Sequence, residues 1–230
     1  MKNLKYILLL SVIVMLCGSN VNAQSLKIYK NDGSFITVPY SELDSIVAVD
    51  EEKQPEYEFV DLGLSVKWAA CNIGAEKPED YGYYFAWGET ETKESYDSDN
   101  SVTNKKPVED FSGNPEYDAA SAQWGGAARM PTLAEFQELL DGCTWELSTQ
   151  NGVSGMLVTG SNGNSIFLPA AGGYTGTSLD LAGQIGFYWS STPFEENDDR
   201  AYLLNIYFFG DHTTFWGYRK LGYSIRPVSD

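Results

Sequence analysis

The chain has little positive charge, few cysteines and a single histidine. Its 230 residues include 15 lysines and arginines against 32 aspartates and glutamates, which gives a net charge of −17. Nucleic acids and anionic lipids repel such a chain, so neither is a predicted partner. The single His212 cannot complete a zinc site with two cysteines, and no neighbouring residue fixes it as an oriented base for a nucleophile. The sequence therefore predicts no catalytic residue.

Long apolar runs are also lacking, apart from one at the start of the chain. Residues 6–16 follow two lysines and precede a polar stretch that ends at Ala23. This order is typical of a secretory signal peptide over residues 1–23. Cys17 leaves lipidation as the alternative, although the bulky Leu16 stands where a lipoprotein has a small residue. The run is too short to span a bilayer, so we predict no membrane-spanning segment in the mature chain.

The mature chain is therefore expected to be exported, to the periplasm, the outer membrane surface or the medium. It would keep 207 residues and a net charge of −19, because the removed segment contains two lysines and no acid. This length suffices for one sizeable core and a small appendage. Only Cys71 and Cys143 remain. Oxidising conditions favour a disulfide between them, and two buried thiols are the alternative, because spacing alone does not establish proximity.

Turn signals and charge divide the mature chain into three parts. Residues 24–50 are predicted to form a small β appendage, with a hairpin turn at the Asn-Asp-Gly of residues 31–33 and a short strand at residues 45–49. Residues 51–56 are charged and contain a proline, which is typical of a linker. Residues 57–230 form the main domain.

One segment of the main domain predicts a helix of about ten residues. Thr132 and Glu135 have the spacing of a capping box, and Gly142 is predicted to end the helix in a left-handed conformation. Arg129, just before the helix, is predicted to be a buried hydrogen-bonding anchor. The apolar side chains recur at steps of three and four and form one stripe for packing on a sheet. They are Leu133, Phe136, Leu139 and Leu140.

The rest of the domain predicts short antiparallel strands. The Asn-Gly pairs at residues 151–152 and 162–163 favour tight hairpin turns. Loops are predicted at residues 193–199 and 210–220. The strands around these loops are predicted at residues 185–192, 200–209 and 221–228. Many short strands with one clear helix predict an α+β domain.

Five segments of the main domain, taken together, resemble the Fibrobacter succinogenes major paralogous domain family of exported Bacteroidetes proteins. These segments are EYEFVDLGLSVKWAACNIGAEKPEDYGYYFAWGET, ARMPTLAEFQELLDGCTW, NSIFLPAAG, YWSST and GYSIRPV. The family is similar to the C-type-lectin-like fold, which formylglycine-generating enzymes and retroelement variable proteins share. The resemblance implies a C-type-lectin-like domain with one framework helix and long loops, preceded by a β-hairpin appendage.

The same resemblance implies binding rather than catalysis. Formylglycine-generating enzymes use a cysteine pair late in the domain, whereas this chain has no cysteine after Cys143. Calcium-dependent lectins carry Glu-Pro-Asn or Gln-Pro-Asp in a loop and Trp-Asn-Asp on a strand. Here residues 189–191 are Trp-Ser-Ser, and neither loop triplet occurs. We therefore predict a non-catalytic module.

Aromatic residues are concentrated near the C-terminus, where residues 187–223 hold twelve of the 32 in the chain. An alternating pattern at residues 200–209 places several in the core, but a loop at residues 210–220 could not bury all of its own. Trp, Tyr and Arg anchor interfaces, and flat rings stack on sugars. The alternative is that Trp216 only packs its own loop against the sheet. The predicted ligand-binding residues are Asp199, Arg200, His212, Phe215, Trp216, Tyr218 and Arg219.

Two acidic segments are candidates for calcium binding. Neither has the complete alternating ligand pattern and glycine of a calcium loop, and a solvated acidic surface is the alternative. The candidate ligands are Asp97, Asp99, Glu195, Asp198 and Asp199. Calcium therefore stays open, and no other cofactor is predicted.

From the sequence we predict an exported module that binds a glycan or a protein through its C-terminal loops. A structural or adhesive subunit of a cell-surface assembly is one alternative, and a calcium-dependent lectin-like protein is another.

Overall fold

The computed structural model describes residues 25–29, 34–42, 57–209 and 211–230. Several predicted features lie outside these residues: the signal peptide at 1–23, the turn at 31–33, the strand at 45–49 and the linker at 51–56. The chain divides into two compact units, Met1–Glu52 and Lys53–Asp230.

The first unit contains an antiparallel hairpin. Strand β1 (Ser25–Tyr29) pairs with β2 (Phe35–Pro39), and a single 3₁₀ turn follows at Tyr40–Glu42. The Lys27 ammonium lies 4.7 Å from the centre of the Phe35 ring. Two strands alone bury little apolar surface, so the core of the protein lies in the second unit.

The second unit is a mainly β member of the α+β class, which confirms the predicted class. Its helices are α1 (Ala119–Trp124) and α2 (Leu133–Gly142). Its strands are β3 (Phe59–Val60), β4 (Lys67–Ala69), β5 (Cys143–Gln150), β6 (Val153–Gly160), β7 (Ser165–Pro169), β8 (Gly173–Thr175), β9 (Ser178–Asp180), β10 (Ile185–Pro193), β11 (Arg200–Tyr207), β12 (His212–Tyr218) and β13 (Val228–Ser229). No helix in the described part of the chain has the length and apolar character needed to cross a membrane.

The strands of the second unit pair antiparallel in four small sheets. Their orders are β13-β4-β3, β5-β6-β7, β8-β9 and β10-β11-β12. Both predicted Asn-Gly turns are confirmed, because Asn151 (φ 46°) and Gly152 (φ 86°) connect β5 to β6, and Gly163 (φ 86°) lies between β6 and β7. Asn and Gly tolerate this left-handed backbone, which is why they occur at these turns.

Helix α2 begins with the predicted capping box. The Thr132 hydroxyl accepts a hydrogen bond from the Glu135 amide at 3.3 Å, and the Glu135 carboxylate accepts one from the Thr132 amide at 2.8 Å. Phe136 and Leu139 are fully buried. The prediction for Gly142 is wrong, because this residue ends the helix without a left-handed backbone. A Cβ at Gly142 would lie 2.7 Å from a methyl group of Leu64, a half-buried side chain that would have to shift to accommodate it.

Helix α1 lies in a polar region for which the sequence predicted no helix. Asp118 caps it by accepting a hydrogen bond from the Ser121 amide. Ala119, Ala120 and Trp124 are buried in the core. Six residues rarely form a helix alone, so tertiary packing of this apolar side stabilises α1.

Strand β12 corrects the predicted loop at residues 210–220. It pairs with β11 at every position from Arg200, opposite Tyr218, to Ile206, opposite His212. The side chains of β12 are exposed or half-buried, apart from Gly217, so its sequence lacks the apolar alternation that predicts a strand. The predicted strand at 221–228 is mostly irregular, since only Val228 belongs to a strand there.

Two buried apolar clusters lie on opposite sides of the sheet β10-β11-β12. Leu203 belongs to the cluster that contains Trp87 and Trp189. Leu204, the next residue, belongs to the cluster that contains Phe136 of α2. Strand β11 is therefore packed on both faces, and this packing fixes the position of its first residue, Arg200.

Candidate functional site

The candidate site lies at the corner of the sheet where β11 begins and β12 ends. Arg200 is paired with Tyr218, and Tyr202 with Trp216, two positions further along. Residues directly opposite and two apart in antiparallel strands share one face. The strand register thus places these four side chains together.

The Arg200 side chain stacks on the aromatic rings of β12. Its guanidinium carbon lies 3.7 Å from the centre of the Trp216 ring and 5.2 Å from that of Tyr218. Phe194 packs beside them, 5.4 Å from Tyr202 and 6.1 Å from Trp216 between ring centres. We call Phe194, Arg200, Tyr202, Trp216 and Tyr218 the aromatic–arginine cluster. Such cation–π contacts hold a guanidinium in place without using its N–H groups.

The cluster is partly open to solvent. Tyr218 is 40% exposed, and the Arg200 side chain is 25% exposed. Phe215 borders the cluster, because its ring stacks on Trp216 at 5.0 Å and is 49% exposed. The corner therefore offers ring surface and a cation side by side.

Asp199 is the acidic partner of Arg200, but the two are not hydrogen bonded. Their closest atoms, Asp199 Oδ1 and Arg200 Nε, are 3.5 Å apart. Both atoms are buried and lack a hydrogen-bond partner among the described residues. The structure thus brings together five of the seven predicted ligand-binding residues: Asp199, Arg200, Phe215, Trp216 and Tyr218.

Arg219 does not belong to the recognition surface, contrary to the prediction. Its side chain is fully buried and stacks on Trp87, with the guanidinium carbon 4.2 Å from the ring centre. It donates hydrogen bonds to the carbonyls of Arg200 (2.9 Å), Thr103 (3.4 Å) and Lys106 (2.7 Å). Successive strand residues point to opposite faces, so Arg219 points inward where Tyr218 points outward. Its role is structural.

His212 is also separate from the cluster. It lies at the opposite end of β12 from Tyr218, and its ring stacks on Trp145 at 4.4 Å with an interplanar angle of 13°. The prediction grouped it with Trp216 because it treated residues 210–220 as a loop that could fold back. An extended strand separates them instead.

Five residues at this corner were missed by the sequence interpretation: Lys105, Lys106, Phe194, Tyr202 and Lys220. The alternating pattern of β11 could have found Tyr202, which lies on the same face as Arg200, and Lys220 directly follows the predicted Arg219. The other three are brought in by tertiary contacts, which no local pattern indicates. The Lys105 amide donates to the Asp198 carbonyl at 3.1 Å, Arg219 bonds the Lys106 carbonyl, and the Lys220 ammonium lies 5.9 Å from the Tyr218 ring centre.

The two cysteines are free, half-buried thiols in the structure, so of the two alternatives the disulfide is not formed. Cys143 packs against the cluster of buried residues that contains Phe136, whereas Cys71 lines a cavity with Tyr57 and Trp124. Burial raises the pKa of both thiols, and nearby acids add to this, while the charge of Arg226 offsets part of the rise at Cys71. A raised pKa reduces the thiolate fraction, so neither group has the character of an activated nucleophile.

The candidate calcium ligands do not converge. Asp97 accepts hydrogen bonds from the amides of Asp99 and Asn100 and from the Ser95 hydroxyl; the Ser95 bond is the main reason its pKa lies below the ordinary value. Across residues 57–209 and 211–230, no three His, Cys, Asp or Glu side chains are grouped to hold a metal. Calcium binding stays a prediction.

Two open cavities lie away from the cluster. One, of about 320 Å³, is lined by Arg129 and Asp230, and the other, of about 270 Å³, by Tyr57, Cys71 and Trp124.

Arg129 is the hydrogen-bonding anchor that the sequence predicted, although its side chain is half-buried and not fully buried. It bonds the Glu135 carboxylate at 2.6 and 3.0 Å and Asp230 at 2.7 Å, which ties the start of α2 to the chain end.

Comparison of the chain with protein-family models, with curated proteins and with solved structures yields no match. The resemblance in the five segments therefore stays a prediction, and the candidate site stands on its geometry alone.

Proposed function

We propose that this protein is an exported, non-catalytic binding module with the C-type-lectin-like fold, and that it holds its ligand at the aromatic–arginine cluster. The observation that carries the proposal is the Arg200 guanidinium stacked on Trp216, with the exposed Tyr218 ring near it and the exposed Phe215 ring against Trp216. The α+β class and the five segments that resemble the major paralogous domain family support the proposed fold.

A glycan is the ligand that this surface suits best. Sugar rings present flat C–H faces that stack on exposed aromatic rings, while a neighbouring cation meets their polar substituents. Tyr218 and Phe215 expose two such rings, joined through Trp216. A protein ligand would use the same surface, because Trp, Tyr and Arg are also the commonest anchors of protein interfaces.

The corner is held rigidly, which favours binding. Strand β11 is packed on both faces, and the buried Arg219 bonds three carbonyls around the cluster. A pre-organised site loses less conformational entropy when its ligand binds.

The test compares variants on an array of neutral and acidic oligosaccharides. Trp216→Ala and Tyr218→Ala should lose binding by tenfold or more, since anchor residues contribute about 2 kcal/mol or more. Tyr83→Ala is the matched control, because Tyr83 is 51% exposed and its ring lies over Gly74. Equal binding by all three variants and the wild type would show that the ligand surface lies elsewhere.

A subunit of a cell-surface assembly is the second candidate function, and strand β12 favours it. This strand lies at the edge of its sheet, and among the described residues no strand pairs with its outer side. It spans seven residues without Lys, Arg, Asp or Glu, so it lacks the charges that usually prevent edge-to-edge pairing. Concentration-dependent dimers in sedimentation, abolished by Thr213→Lys, would support it. A monomer at all concentrations would exclude it.

Calcium dependence is tested separately. A calcium-dependent lectin would gain thermal stability with added calcium and lose that gain with a chelator. If a chelator leaves glycan binding unchanged, the aromatic–arginine cluster binds the glycan without calcium.

A further inference from the structure

We infer that the ligand of the aromatic–arginine cluster is an anionic glycan, a sugar that carries a carboxylate or a sulfate, and that Arg200 binds its anionic group. This inference rests on the proposed function and specifies its ligand class.

The four arginines of the chain differ in what their guanidinium groups bond. Three of them use their guanidinium groups within the protein. Arg129 bonds two carboxylates, Arg219 bonds three carbonyls, and Arg226 bonds Asn72 and three carbonyls. Arg200 alone makes no side-chain hydrogen bond to any described residue, and only Asp199 approaches it, at 3.5 Å.

An arginine in this state suits an anion. Its stacking on Trp216 orients the planar guanidinium, while its N–H donors stay available. Guanidinium donors match carboxylate and sulfate oxygens in pairs, and such charge-assisted bonds are roughly twice as strong as neutral ones. The side chain is therefore placed for a ligand anion without prior loss of an internal bond.

The distribution of cations points the same way. Of ten lysines and arginines described in the second unit, Arg219 and Arg226 are buried, and Arg129 and Lys93 pair with acids within 2.8 Å. Four of the remaining six belong to this corner. They are Lys105, Lys106, Arg200 and Lys220. In a chain of net charge −17, Arg200 and Lys220 thus lie against the rings of this corner, and the backbone of Lys105 and Lys106 adjoins it.

Acidic residues also lie at this corner, and they lower the expected affinity for an anionic ligand. Asp198 and Asp199 precede Arg200, and Glu195 and Glu196 are exposed in the adjoining loop. Asp199 competes with a ligand anion for Arg200, but its closest approach is to Nε. The terminal nitrogens remain for the ligand, so neutralising Asp199 should strengthen anion binding.

The ring surface selects a sugar over a small free anion. Tyr218 lies beside the guanidinium and Phe215 stacks on Trp216. These two rings are 40% and 49% exposed, enough to stack with one or two sugar rings. A uronate or a sulfated sugar presents its anion at the edge of such a ring. Inorganic sulfate would gain the charge contact without the stacking.

The experiment is calorimetric titration of the full mature chain with four probes. They are trigalacturonate, its methyl ester, a sulfated chondroitin disaccharide and galactotriose. We expect at least one of the two anionic probes to bind, with an affinity that falls as salt is added. The methyl ester and the neutral galactotriose should bind more weakly than the anionic probe. Arg200→Gln should weaken the anionic probe about tenfold or more. Asp199→Asn should raise the affinity for the anionic probe several-fold. Lys77 lies outside the corner, so Lys77→Gln should leave this affinity unchanged.

Each outcome separates this inference from the proposed function. If the methyl ester or galactotriose binds as tightly as the anionic probes, and Tyr218→Ala loses that binding while Arg200→Gln keeps it, the anionic class is wrong and the proposed function stands. If none of the four probes binds, the anionic class is overturned. If Trp216→Ala and Tyr218→Ala also leave array binding unchanged, the proposed function is overturned with it. Thermal unfolding is the folding control: a melting temperature of Arg200→Gln equal to that of the wild type shows that the variant is folded.

Discussion

Arg226 and Arg200 carry the same side chain in opposite surroundings. Arg226 is fully buried and bonds Asn72 at 2.8 Å and the carbonyls of Ala69 and Phe167 at 3.0 and 2.9 Å. Arg200 lies at a partly exposed corner and bonds no described residue through its side chain. The guanidinium donors of Arg226 are used in hydrogen bonds that stabilise the fold, whereas those of the stacked Arg200 remain available to a ligand.

The largest expected effect is the loss of Arg226. Its removal in Arg226→Met leaves Asn72 and several carbonyls without a donor in the interior, and each buried unsatisfied group costs about 1–3 kcal/mol. We expect destabilisation of about 3 kcal/mol or more, measured by urea unfolding. Burial lowers the pKa of Arg226, which is the same desolvation penalty that its hydrogen bonds offset. A loss below about 1 kcal/mol would show that these bonds contribute little.

Loss of Arg219 is expected to have the next largest effect. Arg219→Met keeps apolar packing on Trp87 but removes three hydrogen bonds to the carbonyls of Arg200, Thr103 and Lys106. We expect destabilisation of about 2 kcal/mol. Amide exchange should also become faster at residues 103–106, whose turn this side chain joins to the corner. Unchanged exchange there would contradict the structural role of Arg219.

Asp118 extends the comparison to a buried carboxylate. Desolvation raises its pKa, although it accepts hydrogen bonds from the amides of Ser121, Gly113 and Met130. The folded state therefore holds its proton to higher pH than the unfolded state, whose pKa is about 3.9. The associated stability is fully present below that value and is lost as pH rises through the folded pKa.

The measurement is the pH dependence of unfolding free energy for wild type minus Asp118→Asn. The subtraction removes the contribution of the other acids, many of which gain stability with rising pH. We expect this difference to fall as pH rises from about 4 and then to level off. A difference that rises with pH would mean that hydrogen bonding outweighs burial at Asp118.

The surface arginine should matter little for stability. Arg200→Met removes a cation–π contact and a loose ion pair with Asp199, so we expect a change of about 1 kcal/mol or less. The same urea unfolding as for Arg226→Met provides the direct contrast. A loss as large as that of Arg226→Met would place Arg200 in the framework and remove the distinction between the two regions.

The smallest effect concerns the cysteines. Because Cys71 and Cys143 are free thiols, reductant should leave the melting temperature of the mature chain unchanged. Denaturation followed by alkylation should label both, as intact-mass measurement would show. Cysteines that are alkylated only after reduction would instead establish a disulfide between them.

The sequence predicted features whose signals are local. The capping box of Thr132 and Glu135 and the turn at residues 151–152 were correct, since hydrogen-bonding groups three residues apart and the left-handed preference of Asn-Gly act within a few residues. Helix α1 was missed because its stability comes from burial of Trp124 and its neighbours, which depends on the rest of the fold.

The candidate site was predicted only in part, for the same reason. Arg200, Trp216 and Tyr218 were selected by residue type, and the structure places them in contact. Strand β12 was taken for a loop, so the prediction grouped His212 and Arg219 with residues from which the structure separates them. Its edge position exposes side chains on both faces and hides the alternation that indicates a strand. Lys105 and Lys106 come from a turn that is distant in the sequence, which no local pattern reveals.

The most direct test of the binding surface is an NMR titration of the mature chain with trigalacturonate or with the sulfated chondroitin disaccharide. It follows the indole N–H signals of the six tryptophans and the Nε–H signals of the four arginines. We predict that Trp216 and Arg200 shift together as the ligand is added, while the buried Trp87 and Arg226 keep their positions. Shifts confined to Trp124, at the separate cavity beside Cys71, or no shifts at all, would contradict the assignment of the aromatic–arginine cluster as the ligand site.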